Sequence, residues 1–235
     1  DRVKELVKPK RIAGLSDAGF FKYQHNHSTA RWSGSGNFSA DMEYVYGMVN
    51  ASGSLSAKCQ AAQTTHGSAV PRVGGKEVPA PGPWNCIMAA TAEPYVESPL
   101  FFLQSRFDHF QLSAELALQC MLRQSYSPPW NNANCSAAEV GGIQEYGTDL
   151  HAELSQLIDN PSRVRGIFLS SCIVHGQSNL DAWTKTKIQG VTPQQAWRTW
   201  YDGLLVANKS STKWVEACAS GLPCNPNALS CAPYT

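Results

Sequence analysis

Residues 99–109, PLFFLQSRFDH, decide the fold, because a short and continuous apolar run leads directly into an acid and a histidine. Such a run, here residues 99–103, is typical of a strand that is buried on both faces of a parallel sheet. The same pattern predicts strands at residues 11–15 (RIAGL) and 166–169 (GIFL). Each of the three strands is followed by polar residues. In open α/β sheets, functional residues gather beyond the carboxyl ends of the strands.

Amphipathic helices are predicted between and after these strands. Residues 142–158 place apolar side chains three and four residues apart on one face: Ile143, Tyr146, Leu150, Leu154 and Leu157. A second helix begins at Pro193, where Thr192 and Gln195 match a capping box. Residues 41–49 predict a weaker helix, and residues 61–85 and 124–138 predict loops. The fold class is therefore α/β, with a mainly parallel sheet flanked by helices.

Composition excludes several classes of function. The 235 residues carry a formal net charge of +1, so there is no electrostatic basis for binding nucleic acid or an anionic membrane surface. No apolar run approaches the roughly 20 residues that a transmembrane helix needs. Residues 1–235 contain no repeat or low-complexity linker, which predicts one domain or a large part of one.

Cysteines and glycosylation motifs indicate a secreted protein. The eight cysteines are Cys59, Cys86, Cys120, Cys135, Cys172, Cys218, Cys224 and Cys231, and they predict four disulfides in an oxidising compartment. The alternative, a zinc site, is disfavoured because no Cys-x2-Cys pair occurs. Five Asn-x-Ser motifs predict N-glycosylation at Asn26, Asn37, Asn50, Asn134 and Asn208.

The polar residues after the strands suggest a hydrolytic site. The second strand leads to Asp108 and the third leads to His175, which is the order of acid and histidine in a nucleophile–acid–histidine triad. A histidine activates a serine hydroxyl, and an acid orients the histidine. No Gly-x-Ser-x-Gly elbow is present, and residues 14–18 (GLSDA) are only the nearest match. On spacing alone, a surface role for this Asp and His is the simpler interpretation.

A resemblance changes that interpretation. Residues 15–21 (LSDAGFF), 99–112 and 166–175 resemble, in order, sequence blocks of the pectin acetylesterase/Notum family. The resemblance runs from about residue 10 to the end of the chain. It implies an α/β-hydrolase, of which residues 1–235 are the C-terminal part of a single domain. It also implies that Asp108 and His175 are the catalytic acid and base of a serine carboxylesterase.

The same resemblance implies a partner for the chain. The family's nucleophilic serine and oxyanion hole lie upstream of the matched blocks, so we expect a companion N-terminal chain or segment to carry them. The precursor could be cut into two associated chains, the segment could be absent from this sequence, or the chain could be a structural subunit. We expect no metal and no organic cofactor in the reaction.

Three further residues are candidates for contact with substrate: Asp17, Gln111 and Gln177. Asp17 ends a predicted strand, although a turn or cap is an equally simple role for it. Gln177 resembles the plant-type enzymes, whereas Notum has an apolar residue there, and Ala114 is smaller than its Notum counterpart. Gly176 departs from the plant type, which has Cys after the histidine. Gln177 and Ala114 favour a small acyl group, such as acetyl on an extracellular polysaccharide.

Two alternatives stay open. The chain could be a non-catalytic structural or glycan-binding relative, or it could be a Notum-like enzyme that removes lipid from a protein. The resemblance also implies two disulfides, Cys59–Cys86 and Cys120–Cys135. Cys172 would then pair with Cys218, Cys224 or Cys231.

Overall fold

A computed structural model describes residues 12–22, 38–65, 82–124, 132–160, 163–179, 181–205, 212–218 and 221–225. Within these ranges, four strands form one sheet: β1 (Gly14–Asp17), β2 (Leu100–Phe107), β3 (Arg165–Ile173) and β4 (Thr212–Val215). Their order is β1-β2-β3-β4 and every neighbouring pair is parallel. The carboxyl ends of all four strands therefore lie at the same end of the sheet.

The helices of the described ranges lie between the strands in sequence. They are α1 (Phe38–Met48), α2 (Ala57–Thr65), α3 (Ala89–Ala92), α4 (Gln119–Leu122), α5 (Ala137–Ile158), α6 (Ala182–Lys185) and α7 (Pro193–Leu205). Short 3₁₀ helices span Ala51–Gly53, Pro83–Ile87 and Glu93–Tyr95, and a π-helical turn spans Gln111–Glu115. The alternation of strands and helices confirms the predicted α/β class.

Two helices cover opposite faces of the sheet. Helix α5 packs with Phe102 and Ile167 of the central strands in one apolar cluster. Helix α7 packs through Trp200 against Phe101 and Phe168 in a second cluster. Neighbouring residues of β2 and β3 enter different clusters, as expected for strands whose side chains alternate between two buried faces.

Both long helices begin with a capping box, of which the sequence predicted the one at Thr192 and Gln195 but not the one at Ser136. Ser136 caps α5: its hydroxyl accepts the backbone N–H of Glu139, and the Glu139 side chain accepts the N–H of Ser136 in return. At the start of α7, Gln195 Oε1 accepts the N–H of Thr192 at 2.9 Å, and Thr192 Oγ1 accepts the N–H of Gln195. Helix α5 begins at Ala137, five residues before the predicted residue 142.

Several predicted boundaries are wrong. Strand β1 is observed at Gly14–Asp17 rather than at residues 11–15, because its pairing with β2 starts where Gly14 meets Leu100. The predicted loop over residues 61–85 contains the end of α2 and a 3₁₀ turn, while residues 66–81 lie outside the described ranges. The predicted loop over 124–138 overlaps the first turn of α5. The sequence did not predict β4.

A disulfide explains why helical structure occurs within the predicted loop over residues 61–85. Cys59 of α2 bonds Cys86 of the Pro83–Ile87 turn, and both cysteines are buried. This bond fixes two short helical segments whose own apolar patterns are weak. Cys120 bonds Cys135, so the structure contains both pairs that the family resemblance implied.

The C-terminal cysteines narrow the choice for Cys172. Cys218 bonds Cys224, and Cys172 is itself disulfide-bonded, so neither Cys218 nor Cys224 is its partner. Cys231, the third alternative, lies outside the described residues. Disulfides rather than zinc therefore occupy the cysteines of the described part of the chain.

Candidate active site

Asp108 lies where β2 gives way to a helical turn. Its carboxylate is fully buried, and Oδ1 accepts the backbone N–H of Gln111 at 3.0 Å. Its own carbonyl oxygen accepts the N–H of Leu112, which continues the turn. The carboxylate is thus held by the backbone that follows it, in the manner of a helix N-cap.

His175 lies two residues beyond the end of β3, the strand next to β2. Its Nδ1 atom is 2.9 Å from Asp108 Oδ2 and 3.1 Å from Oδ1. Because an ionised carboxylate only accepts hydrogen bonds, Nδ1 carries the proton in this contact and Nε2 is left as the basic nitrogen. The His175 side chain is 37% exposed whereas Asp108 is buried, so the pair has one buried and one accessible member.

Burial and charge act against each other in this pair. Burial alone would lower the pKa of His175, but the hydrogen bond and charge of Asp108 and the charge of Asp17 outweigh it. The pKa of His175 is therefore raised above its usual 6.5. Burial raises the pKa of Asp108, and the hydrogen bond from His175 and the N–H groups of Gln111 and Phe110 oppose that rise.

A second buried acid lies near Asp108. Both carboxylate oxygens of Glu115 are buried and have no hydrogen-bond partner among the described residues. Burial first, and the charge of Asp108 second, raise the pKa of Glu115 well above its usual value. Burial and the neighbouring charge of Asp108 thus both favour the uncharged form of Glu115.

Two phenylalanine rings lie against the imidazole of His175. The ring centroid of Phe110 lies 5.3 Å from that of His175, and the centroid of Phe21 lies 6.3 Å away, edge to face. Phe21 also stacks on Phe38 at the start of α1, at 5.9 Å between centroids. Sequence reasoning did not single out these three residues. The only signal was the abundance of phenylalanine beside the polar ends of β1 and β2.

The three candidate substrate contacts all lie next to the Asp108–His175 pair, but each side chain also binds protein. Gln111 Nε2 donates to the carbonyl of Phe20, and Gln111 Oε1 accepts the N–H of Lys22. Gln177 Oε1 accepts the Ser170 hydroxyl, while its Nε2 is buried without a partner among the described residues. A role of these side chains in substrate binding stays a prediction.

Asp17 is placed differently from the two glutamines. Its carboxylate accepts the backbone N–H groups of Gln177 and Ser178, in the loop that carries His175. The predicted contact between Asp17 and substrate also stays untested, but the structure assigns this side chain a definite set of protein partners.

Two of the glycosylation motifs fall within the described residues. Asn50 and Asn134 are exposed, and Ser52 donates its hydroxyl to Asn50 Oδ1. Asn26, Asn37 and Asn208 lie outside the described residues. In the described part of the chain, no group of three or more His, Cys, Asp or Glu could hold a metal ion. No helix described there is long and apolar enough to cross a membrane.

Together these features define a class of protein. A carboxylate and a histidine leave the carboxyl ends of two adjacent parallel strands, in a sheet covered by helices on both faces, as in the α/β-hydrolases. The model of one family, described as pectinacetylesterase, matches residues 1–229. The chain belongs to the pectinacetylesterase family.

Individual relatives agree with this assignment. The chain is 30% identical over 108 residues to pectin acetylesterase 7 of Arabidopsis thaliana, covering 43% of this chain and 26% of that protein. It is 25% identical over 155 residues to the palmitoleoyl-protein carboxylesterase notum1' of Xenopus laevis, covering 63% of this chain and 28% of that protein. Both alignments thus span little more than a quarter of the relative.

The solved structure of the Wnt deacylase Notum from Drosophila has the same fold. It superposes with a TM-score of 0.67 at 20% identity, covering 95% of this chain and 52% of that one. The chain therefore spans about half the length of that structure and shares its fold. Its family is one of carboxylesterases, as the names of both relatives state.

Proposed function

We propose that this chain supplies the acid and the histidine of a Ser-His-Asp triad in an extracellular carboxylesterase that deacetylates a polysaccharide. The observation that carries the proposal is the hydrogen bond of 2.9 Å between His175 Nδ1 and the buried Asp108. It fixes the tautomer that leaves Nε2 free to act as a base. The disulfides and exposed glycosylation motifs support a secreted protein.

In the proposed reaction, His175 Nε2 takes the proton of a serine hydroxyl as that oxygen attacks the ester carbonyl. The imidazolium then returns the proton to the leaving alcohol, and the carbon–oxygen bond of the ester breaks. His175 repeats both steps with water to release the acid. Asp108 stabilises the imidazolium throughout, and its buried position strengthens that interaction because little solvent screens it.

The serine and the oxyanion donors would come from a companion segment upstream of Asp1. The chain contains no Gly-x-Ser-x-Gly motif, and it corresponds to about half of the Drosophila Notum structure. The partial exposure of the His175 side chain also supports this proposal, because a general base must present Nε2 to a hydroxyl within hydrogen-bond reach. The proposal needs no metal and no organic cofactor.

Acetyl is the acyl group that the surroundings of His175 favour. Gln177 is a buried polar side chain two residues after the catalytic base, and a long fatty acyl group would gain nothing from an amide there. A small acyl group on a sugar hydroxyl suits this arrangement, and pectin acetylesterase 7 is a relative with that specificity in its name.

A Notum-like deacylase is the second candidate. The apolar rings of Phe21, Phe38 and Phe110 favour it, since an acyl chain could pack against them. The two candidates differ in the acyl length that they predict, and a non-catalytic relative predicts no hydrolysis at all.

The test uses the complete protein that contains this chain together with its upstream segment. A fluorophosphonate probe should label a serine of that segment, and the protein should hydrolyse nitrophenyl acetate faster than nitrophenyl esters of long fatty acids. Equal labelling after heat denaturation, or no labelling, would exclude the serine esterase. A preference for palmitoleoyl esters would instead support the lipid deacylase.

A further inference from the structure

Asp17 reaches across the sheet to the loop that carries His175. It is the last residue of β1, and β2 lies between β1 and β3. Nevertheless its Oδ1 accepts the N–H of Gln177 at 2.9 Å, and its Oδ2 accepts the N–H of Ser178 at 2.7 Å. These two amides belong to the second and third residues after His175 and are separated from it by Gly176. A carboxylate on one strand therefore holds the loop that follows another strand, and Asp108 lies directly after the strand between them.

We propose that Asp17 is a positioning residue for His175: it clamps residues 177 and 178 so that the imidazole stays on Asp108. This proposal rests on the proposed esterase function and extends it, because it gives a third strand end a part in the triad. Hydrogen bonds from backbone N–H groups to a carboxylate are about twice as strong as neutral ones. Two N–H groups donate to this one side chain, and that of Gln177 is shared between both carboxylate oxygens, which makes an effective tether.

The backbone on both sides of the clamp supports this role. Ala18 follows Asp17 with φ at 51°, a conformation that costs an alanine about 1–2 kcal/mol. Ala18 is buried, and its N–H donates to the carbonyl of Leu103, so neighbouring structure holds the strained turn in place. Gly176 follows His175 with φ at 70°, which a glycine adopts without strain. The segments that follow β1 and β3 thus both change direction where the Asp17 carboxylate joins them.

Among the described residues, the loop after β3 has few attachments besides this clamp and the hydrogen bond of His175 to Asp108. In the described structure, the carbonyl of Val174 accepts the N–H of His109 at 3.4 Å, and the Gln177 side chain binds Ser170. Neither contact involves the backbone of residues 176–178. Without Asp17, the N–H groups of Gln177 and Ser178 would turn to solvent and the loop would gain freedom. A displacement of about 1 Å in a catalytic group can cost 10²-fold in rate.

Amide hydrogen exchange tests the clamp directly. In the complete protein, Asp17→Ala should raise exchange at Gln177 and Ser178 by about tenfold to a hundredfold, because a charged hydrogen bond is lost at each amide. Exchange in α7 should not change. The measurement needs no enzymatic activity. Unchanged exchange at these two amides would overturn the proposal, whether or not the protein proves to be an esterase.

A pH profile separates positioning of the triad from general support of the fold. The titratable groups that face His175 among the described residues are Asp108, Asp17 and His109. Asp17→Asn keeps an acceptor oxygen but removes a negative charge, so the pKa of His175 should fall. The acid limb of kcat/KM should then move to lower pH, while kcat at the plateau drops about tenfold.

Asp181→Asn is the matched control. It removes the same charge a few residues along the chain, where Asp181 is partly exposed and pairs with Lys185 on α6. Its acid limb and kcat should equal those of the parent protein. An Asp17→Asn profile that coincides with that of Asp181→Asn would overturn the proposal. If the parent protein hydrolyses no ester, the proposed function fails, and the exchange experiment alone decides the role of Asp17.

Discussion

The two ends of the sheet each hold a buried acid against a basic side chain, and the two pairs differ in how fully they are satisfied. At the carboxyl end, Asp108 binds one nitrogen of His175. At the amino end, Glu93 binds Nε of Arg165, the first residue of β3. The other Arg165 nitrogens donate to three backbone carbonyls, those of Val96, Ser98 and Val164.

The difference separates a structural ion pair from a reactive one. The Arg165 side chain is 1% exposed and each of its nitrogens already has an acceptor, so it can do nothing but hold the chain before β2 in place. His175 is 37% exposed and has one nitrogen left for chemistry. A buried acid beside a base is therefore not by itself the mark of an active site. What indicates function is the partial exposure of His175 and the availability of its second ring nitrogen.

Mutating the carboxyl-end pair should produce the largest effect on activity. Asp108→Asn should reduce kcat of the complete esterase by about 10⁴-fold, because the wrong imidazole tautomer is then favoured. His175→Ala should reduce kcat at least as much. Ester hydrolysis and thermal unfolding of both variants provide the measurements.

Thermal unfolding decides how that loss is interpreted. We expect the Tm of His175→Ala to stay within a few degrees of the parent protein, since the imidazole is partly exposed. Retention of full esterase activity by either variant would mean that the reactive pair lies elsewhere in the protein.

The amino-end pair should respond in the opposite way. Arg165→Met leaves Glu93 buried without its partner and should cost about 3–5 kcal/mol of the free energy of unfolding. Denaturant unfolding of the complete protein measures this loss. Arg198→Met is the control, because Arg198 pairs with Asp202 on the exposed face of α7 and should lose less than about 1 kcal/mol. Equal losses in the two variants would contradict the structural role of the buried pair.

How well the sequence predicts each region follows from the range of the interactions that build it. Asp108 and His175 follow apolar strands directly, so local pattern and family resemblance both lead to them. The clamp by Asp17 depends on the order of the strands, and no local pattern reveals that β1 and β3 flank β2.

Weak local patterns explain why the sequence does not predict three other features: β4, α2 and the Arg165–Glu93 pair. Strand β4 has only four residues and is half-buried at the edge of the sheet. Helix α2 is short, and its disulfide from Cys59 to Cys86 reaches 27 residues along the chain. The role of Arg165 is not visible in the sequence for a related reason: its partner Glu93 lies 72 residues away, in a segment with no apolar period.

Substitution of two glycines of α5, Gly147 and Gly141, should produce the smallest effects on stability, and it tests whether packing behind Asp108 matters to the reactive pair. Gly147 packs against Phe107, the residue before Asp108, and an added Cβ would overlap that ring. Gly141 lies in the same helix, exposed, with nothing within 4 Å of an added Cβ. Gly141→Ala should therefore stabilise the protein by about 0.5–1 kcal/mol, through helix propensity alone. Gly147→Ala should destabilise it by about 1–3 kcal/mol, through overpacking.

The effect on activity links this packing to the reactive pair. Because Phe107 must shift in Gly147→Ala, Asp108 should move with it, and kcat should fall while the Gly141→Ala enzyme keeps the parent value. Denaturant unfolding and ester hydrolysis, measured on the same two preparations, distinguish the alternatives. If Gly147→Ala lost stability but kept full kcat, the carboxylate would be held by its own helical turn and by His175, independently of the ring behind it.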